Sequence, residues 1–188
     1  MSATNAPFGM RPAFHPSGLD RAQAIAGGIA SGYSSDILKG QAVKLNSSGN
    51  IVQAAAGDSF QGAFAGVEWT DTTGRRRVSN YWPASTAGTA IVAYFYNDPN
   101  IVYEIQADGS LAQTAIGDMA DLSNATAGST TTGLSACTIS TTLVGSGNSA
   151  QLQIVDLAPY VDNAWGDAYT IVRVTINESQ YRATVNAI

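Results

Sequence analysis

The chain has 188 residues, 45% of them hydrophobic and only 12% charged, with 9 basic against 14 acidic side chains and a net charge of −5. That length makes one large or two small domains and buries ~70% of the unfolded surface. The acidic balance excludes a protein whose main task is coating nucleic acid, which needs basic patches, and the lone Cys137 excludes an intrachain disulfide and a cysteine metal knot.

The start, MSATNAPFGMRP, places no apolar run behind a basic patch, and no stretch approaches the ~18 apolar residues of a membrane span. Synthesis in a reducing cytoplasm without a membrane partner is expected. Residues 1–20 contain Pro7, Pro12 and Pro16 with Gly9 and Gly18, which forbids a helix and predicts an extended or turn-rich path. The same segment carries Phe8, Met10 and Phe14, side chains that need a surface to press on. Two readings stand. The N-terminus wraps the edge of its own domain, or residues 1–30 form an extended arm that grips a neighbour through Phe8, Met10, Arg11 and Phe14.

In RAQAIAGGIASGY, residues 21–33, the alanine content suits a short helix, but the Gly27–Gly28 pair breaks it. From Ile37 the signals are β. The stretch 36–58 reads as a strand, a Ser-Ser-Gly-Asn turn and a return strand. FQGAFAGVEW is a small-residue strand, TDTTGRR a hairpin turn, RVSNYWPAST an aromatic strand and TAIVAYFYND a central strand. A turn at Asp98-Pro99-Asn100 leads into IVYEIQADG. The Ser/Thr/Gly-rich stretch 122–149 predicts a long loop running into a strand, followed by AQLQIVDLAPYV, AYTIVRVTINES and a final edge strand QYRATVNAI. Turn signals every 8–12 residues without a long amphipathic helix predict an all-β fold, a compact barrel or sandwich of short antiparallel strands. Residues 31–120 would form its core, and residues 121–188 a second β-rich part packed on it.

GNIVQAAAGD at 49–58 is echoed by GSLAQTAIGD at 109–118. Each follows a strand and crosses a Gly-centred turn, so both are expected to be hairpins.

Chemistry is sparse. A Ser–His–Asp triad would have to use His15, which lies in the Pro-rich segment, and no G-x-S-x-G, phosphate-loop or H-E-x-x-H pattern occurs. Asp156, Asp162, Asn163 and Asp167 offer oxygen ligands without EF-hand spacing. No cofactor, metal or catalytic residue is expected. Arg75-Arg76-Arg77 is the one dense charge cluster; it guards a hairpin edge, pairs together with Trp82 with a neighbouring subunit, or, with few other basic residues nearby, binds phosphate. Trp69, Trp82 and Trp165 with the eight tyrosines are expected half-buried or at interfaces, the alternative being a carbohydrate platform.

The leading NAPFGMRP, followed by ILKGQAVKLNSSGNIVQAAAGDSFQGAFAGVEW, resembles the small β-rich decoration (cement) proteins of tailed-bacteriophage capsids. DTTGRRRVSNYWPAST, NDPNIVYEIQADG and VDNAWGDAY resemble phage virion structural proteins more widely. The resemblance implies a non-enzymatic homotrimer on the capsid exterior, bound to the major capsid protein with an N-terminal arm gripping the shell. The alternative is a head-fibre or tail-associated module that recognises host-surface glycan.

Overall fold

A computed structural model describes residues 2–17 and 24–183. In chain order the strands are β1 (Arg11–Phe14), β2 (Ala24–Gly27), β3 (Ala42–Leu45), β4 (Ile51–Gln53), β5 (Gly62–Asp71), β6 (Arg76–Ser79), β7 (Gly88–Tyr96) and β8 (Val102–Gln106). One 3-10 turn, Gln113–Ala115, precedes β9 (Met119–Ala120), β10 (Leu122–Ser123), β11 (Gly128–Ser129), β12 (Leu134–Ser135), β13 (Thr138–Ile139), β14 (Leu152–Leu157) and β15 (Ile171–Ile176). The fold is all-β, as the turn spacing predicts.

Two antiparallel sheets carry the molecule. A five-stranded sheet runs β1-β8-β15-β14-β9, and a six-stranded sheet runs β2-β7-β5-β3-β4 with β6 also on β5. β10 pairs with β13 and β11 with β12 as two small additional ladders. One core, with Phe60, Tyr103, Ile105, Leu152 and Val172, packs against the five-stranded sheet. A second, with Ile37, Val43, Phe64, Trp69, Trp82 and Phe95, packs against the six-stranded sheet.

The seam between the sheets falls at the β7–β8 turn. β8, expected with residues 31–120, lies between β1 and β15 in the sheet of the C-terminal half. Its five residues are all buried, because Tyr103 and Ile105 face the core while the other face is covered by the N-terminal segment and the 158–170 loop. The short helix suggested by the alanines near residue 24 is instead β2, whose partner β7 offers an edge at Ala93–Tyr96. Long-range pairing thus overrides local helix propensity. Residues 180–182 form a turn rather than the expected edge strand, and the rest of that strand, from 184, lies outside the described residues.

The echoed decapeptides turn out to share less than a hairpin. The first is one, with β3 and β4 joined in the register Leu45↔Ile51. The second is not. Both edges of β8 are already taken by β1 and β15, so no return strand can pair with it. What recurs is a turn: Asp58 N donates to Ala55 O at 3.2 Å and Asp118 N to Ala115 O at 3.1 Å. Gly57 (φ +78°) and Gly117 (φ +91°) hold the left-handed corner that such a turn reserves for glycine.

A chain this poor in charge ties its loops with buried amides. The Gln151 side chain donates to Ala55 O (2.9 Å) and Asp58 O (2.7 Å) and accepts from Leu122 N (2.9 Å), fastening the first of those turns to β10. Gln41, fully buried, accepts from Leu38 N and donates to Ala125 O. Each satisfied amide avoids the 1–3 kcal/mol that an orphaned buried polar group typically costs.

Candidate functional site

The N-terminal segment was the leading candidate for partner binding, and it is built into its own chain from the second residue. Tyr169 N donates to Ser2 O at 2.8 Å, and Ser2 Oγ lies within hydrogen-bond reach of Asp162 O and the Asp167 carboxylate. Ala6 N donates to Gln106 Oε1 at 3.0 Å, while Gln106 Nε2 donates to Thr4 O at 3.0 Å. Met10 N donates to Gly40 O at 2.7 Å. That approach is so close that a Cβ on Gly9, itself at φ +73°, would sit 2.7 Å from the same carbonyl oxygen. The glycine in FGM is therefore required by packing and by backbone conformation together.

Arg11 completes the attachment. β1 pairs with β8 in the register Arg11↔Glu104, and β15 with β8 in the register Arg173↔Glu104, so three charged side chains stand in one row. Arg11 Nη2 lies 2.7 Å from Glu104 Oε2, and Arg173 Nε lies 3.7 Å from Oε1, an ion pair too long for a hydrogen bond. Arg173 Nε is accordingly a buried donor without an acceptor. The Tyr160 hydroxyl donates to Glu104 Oε2 at 2.5 Å. The Arg11 guanidinium stacks on Phe8 (4.7 Å) and Tyr160 (5.7 Å), and that of Arg173 on Phe14 (5.2 Å). Burial raises the Glu104 pKa, but the Tyr160 hydroxyl and the two arginines outweigh it and hold the carboxyl below its ordinary 4.5.

Of the four residues expected on an arm, Met10 is fully buried in the chain's own core, which withdraws it from any partner. Phe8, Arg11 and Phe14 engage the chain's own Glu104, Tyr160 and Arg173 as well as keeping part of their surface in solvent. The segment is extended as expected, but it is an edge strand rather than a free arm.

The arginine cluster is also largely satisfied internally. Arg76 Nη2 lies 2.9 Å from Glu68 and its Nη1 donates to Ala90 O at 2.8 Å, while Arg77 Nε lies 2.7 Å from Asp71. Asp71 caps the hairpin turn, accepting from the Thr73 hydroxyl, Arg75 N, Arg77 and Thr73 N, which keeps its carboxylate far below the usual range. Only the Arg75 guanidinium has no partner among the described residues. Trp82 is fully buried and meets Trp69 edge-on at 5.6 Å between ring centroids, so it cannot reach a neighbouring subunit. Trp69 is buried and Trp165 is packed against the first core, which leaves the indoles poorly placed for an open carbohydrate platform.

The reactive residue types are accounted for by turns. His15 Nε2 lies 3.0 Å from Asp98 Oδ2 and Nδ1 lies 2.6 Å from Ser17 Oγ. Ser17 N also points at Nδ1 at 3.1 Å, which assigns the ring proton to Nε2. Ser17 is only two residues from His15, and Asp98 also accepts from Asn100 N at 2.8 Å. The set therefore closes one turn and ties it to the next, the ordinary local chemistry of Ser and Asp. Burial pushes the Cys137 thiol up, away from nucleophilic use. Of the four oxygen-bearing residues Asp156, Asp162, Asn163 and Asp167, Asn163 holds Ala158 O, Ile171 O and Ile171 N, and Asp167 holds Ala164 N. Among the described residues no three His, Cys, Asp or Glu side chains gather as metal ligands, and no helix is long and apolar enough to cross a membrane.

The described residues form two concavities of note. A cleft of about 350 Å³ is lined by Pro16, Pro99, Asn100, Thr175, Asn177 and Arg182, among others. An apolar groove of about 220 Å³ lies where the N-terminal segment crosses the join between the sheets, flanked by Leu134 and Lys39. No protein-family model, curated protein or solved structure matches the chain.

Proposed function

We propose that the protein is a non-enzymatic structural protein of a tailed-phage particle, a homotrimer bound to the major capsid protein on the outside of the shell, which it stabilises. One observation carries the reading. Val161, at the corner of a hydrogen-bonded turn, is completely exposed and Val78, on β6, is 79% exposed, in a chain with only 12% charged residues. Rigid apolar points on a surface with little charge suit a protein whose surface is covered by partners. The likeness of NAPFGMRP and the following hairpin to phage decoration proteins supports the same reading. The docked N-terminus changes one part of it: the shell is gripped by the rigid body, not by a released arm.

The test is cosedimentation of the purified protein with mature phage shells stripped of their decoration. Saturable binding at a fixed ratio to the capsid protein, with shells then surviving a higher temperature, supports the reading. No binding to shells of the phage that encodes the chain overturns it.

A further inference from the structure

The apolar groove and the exposed valine form a complementary pair on one chain. Tyr160 to Asn163 is a tight turn, closed by Asn163 N donating to Tyr160 O at 3.2 Å, with Val161 and Asp162 at its corners. Such corners ordinarily hold Pro, Gly, Asn, Asp or Ser. A β-branched apolar residue there, exposed as fully as in an extended peptide, is at odds with turn chemistry. The turn is also held rigidly, by the three backbone contacts of Asn163 and by Ser2 against Asp162 O. Docking it therefore costs little ordering entropy.

The groove has the opposite character. Phe8, Pro12, Tyr96 and Leu134 supply apolar walls, with Leu134 46% exposed, and the charged residues that line it are Lys39 and Arg11. No acid lines it, although the chain carries a net charge of −5, and Lys39 has no ion-pair partner among the described residues. A space of about 220 Å³ exceeds the ~150 Å³ that admits a benzene ring, so a valine side chain fits. The groove carries cations, whereas a second copy of the chain is acidic overall. Arg11 lines the groove and stacks at 5.7 Å on Tyr160, the residue before the valine.

We propose that the groove takes Val161 of a second copy of this chain. Each copy offers a knob at one place and a groove at another, so the contact is head-to-tail, and it closes into a ring where the rotation between copies allows. The inference rests on the homotrimer in the reading above and supplies its contact.

Sedimentation velocity of the purified chain without capsids tests it. Val161→Asp alters a side chain that touches nothing in the monomer, and Leu134→Asp alters the groove at a half-exposed position. Each weakens self-association at least about tenfold, the worth of one buried valine. Mixing the two variants yields a 1:1 dimer that grows no further, because one intact knob meets one intact groove. Wild-type chain that stays monomeric, variants that assemble as the wild type does, or a mixture that stays monomeric each overturn the proposal. Capsid binding, measured separately, fails independently: oligomers that ignore capsids sink the functional reading alone, and capsid binding with undisturbed variants sinks the groove alone.

Discussion

Arg11 and Glu104 face each other across β1 and β8, 2.7 Å apart, and the pair joins the N-terminal segment to the centre of the five-stranded sheet. Glu104 is only 8% exposed and also answers Arg173 and Tyr160. Removing it leaves two cations without their counter-charge, whereas removing Arg11 leaves Glu104 with Arg173. Glu104→Ala should therefore cost more than Arg11→Ala, about 2 kcal/mol for a pair that is partly open to solvent. Urea denaturation of the two variants checks the order.

The same carboxylate gives the docking a pH dependence. Its pKa is lower in the folded chain than the ordinary 4.5, so its contribution is full above that value and is lost as pH falls through the folded value. Stability should decline as pH falls below about 4.5, and the decline should be shallower in Glu104→Gln. Thermal melts across that range provide the comparison. Equal slopes in both proteins would assign the acid loss to other groups.

Gly9→Ala combines a left-handed backbone with a Cβ 2.7 Å from Gly40 O. The substitution should destabilise the protein by about 2 kcal/mol or more and loosen residues 2–14 before the rest unfolds. Limited proteolysis near residue 11 reports that local release.

Trp82 and Arg75 should separate sharply. Trp82→Ala opens a cavity in the second core and should cost about 3–5 kcal/mol, whereas Arg75→Ala, exposed and unpaired among the described residues, should leave stability within about 0.5 kcal/mol. A chemical-denaturation midpoint distinguishes them. Any loss of assembly in the tryptophan variant would then reflect unfolding.

The long apolar strands were legible because β7 and β15 are dense in β-branched and aromatic residues between turn signals. β1 was not, since a strand starting Arg-Pro carries almost no strand propensity and exists because β8 offers it an edge. The division of the sheets was hidden for the same reason, as nothing in VYEIQ says which strands flank it. Met10 looked like a partner contact because Arg11 and Pro12 follow it, and Trp82 because it closely follows the arginine cluster. Their burial depends on Gly40 and Trp69, which are distant in sequence. The neutralisation of Arg77 was within reach: Asp71 opens the same DTTGRRR turn. The neutralisation of Arg76 by Glu68 needed only the hairpin register.

Hydrogen exchange at the amide of Met10 tests most directly that the N-terminus is part of the folded body. Docked on Gly40, this amide should exchange only through opening that releases β1 from β8, thousands of times slower than an unstructured amide, an opening free energy of at least about 4 kcal/mol. Exchange at the rate of an unstructured peptide would contradict the account and return residues 2–14 to the role of a free arm.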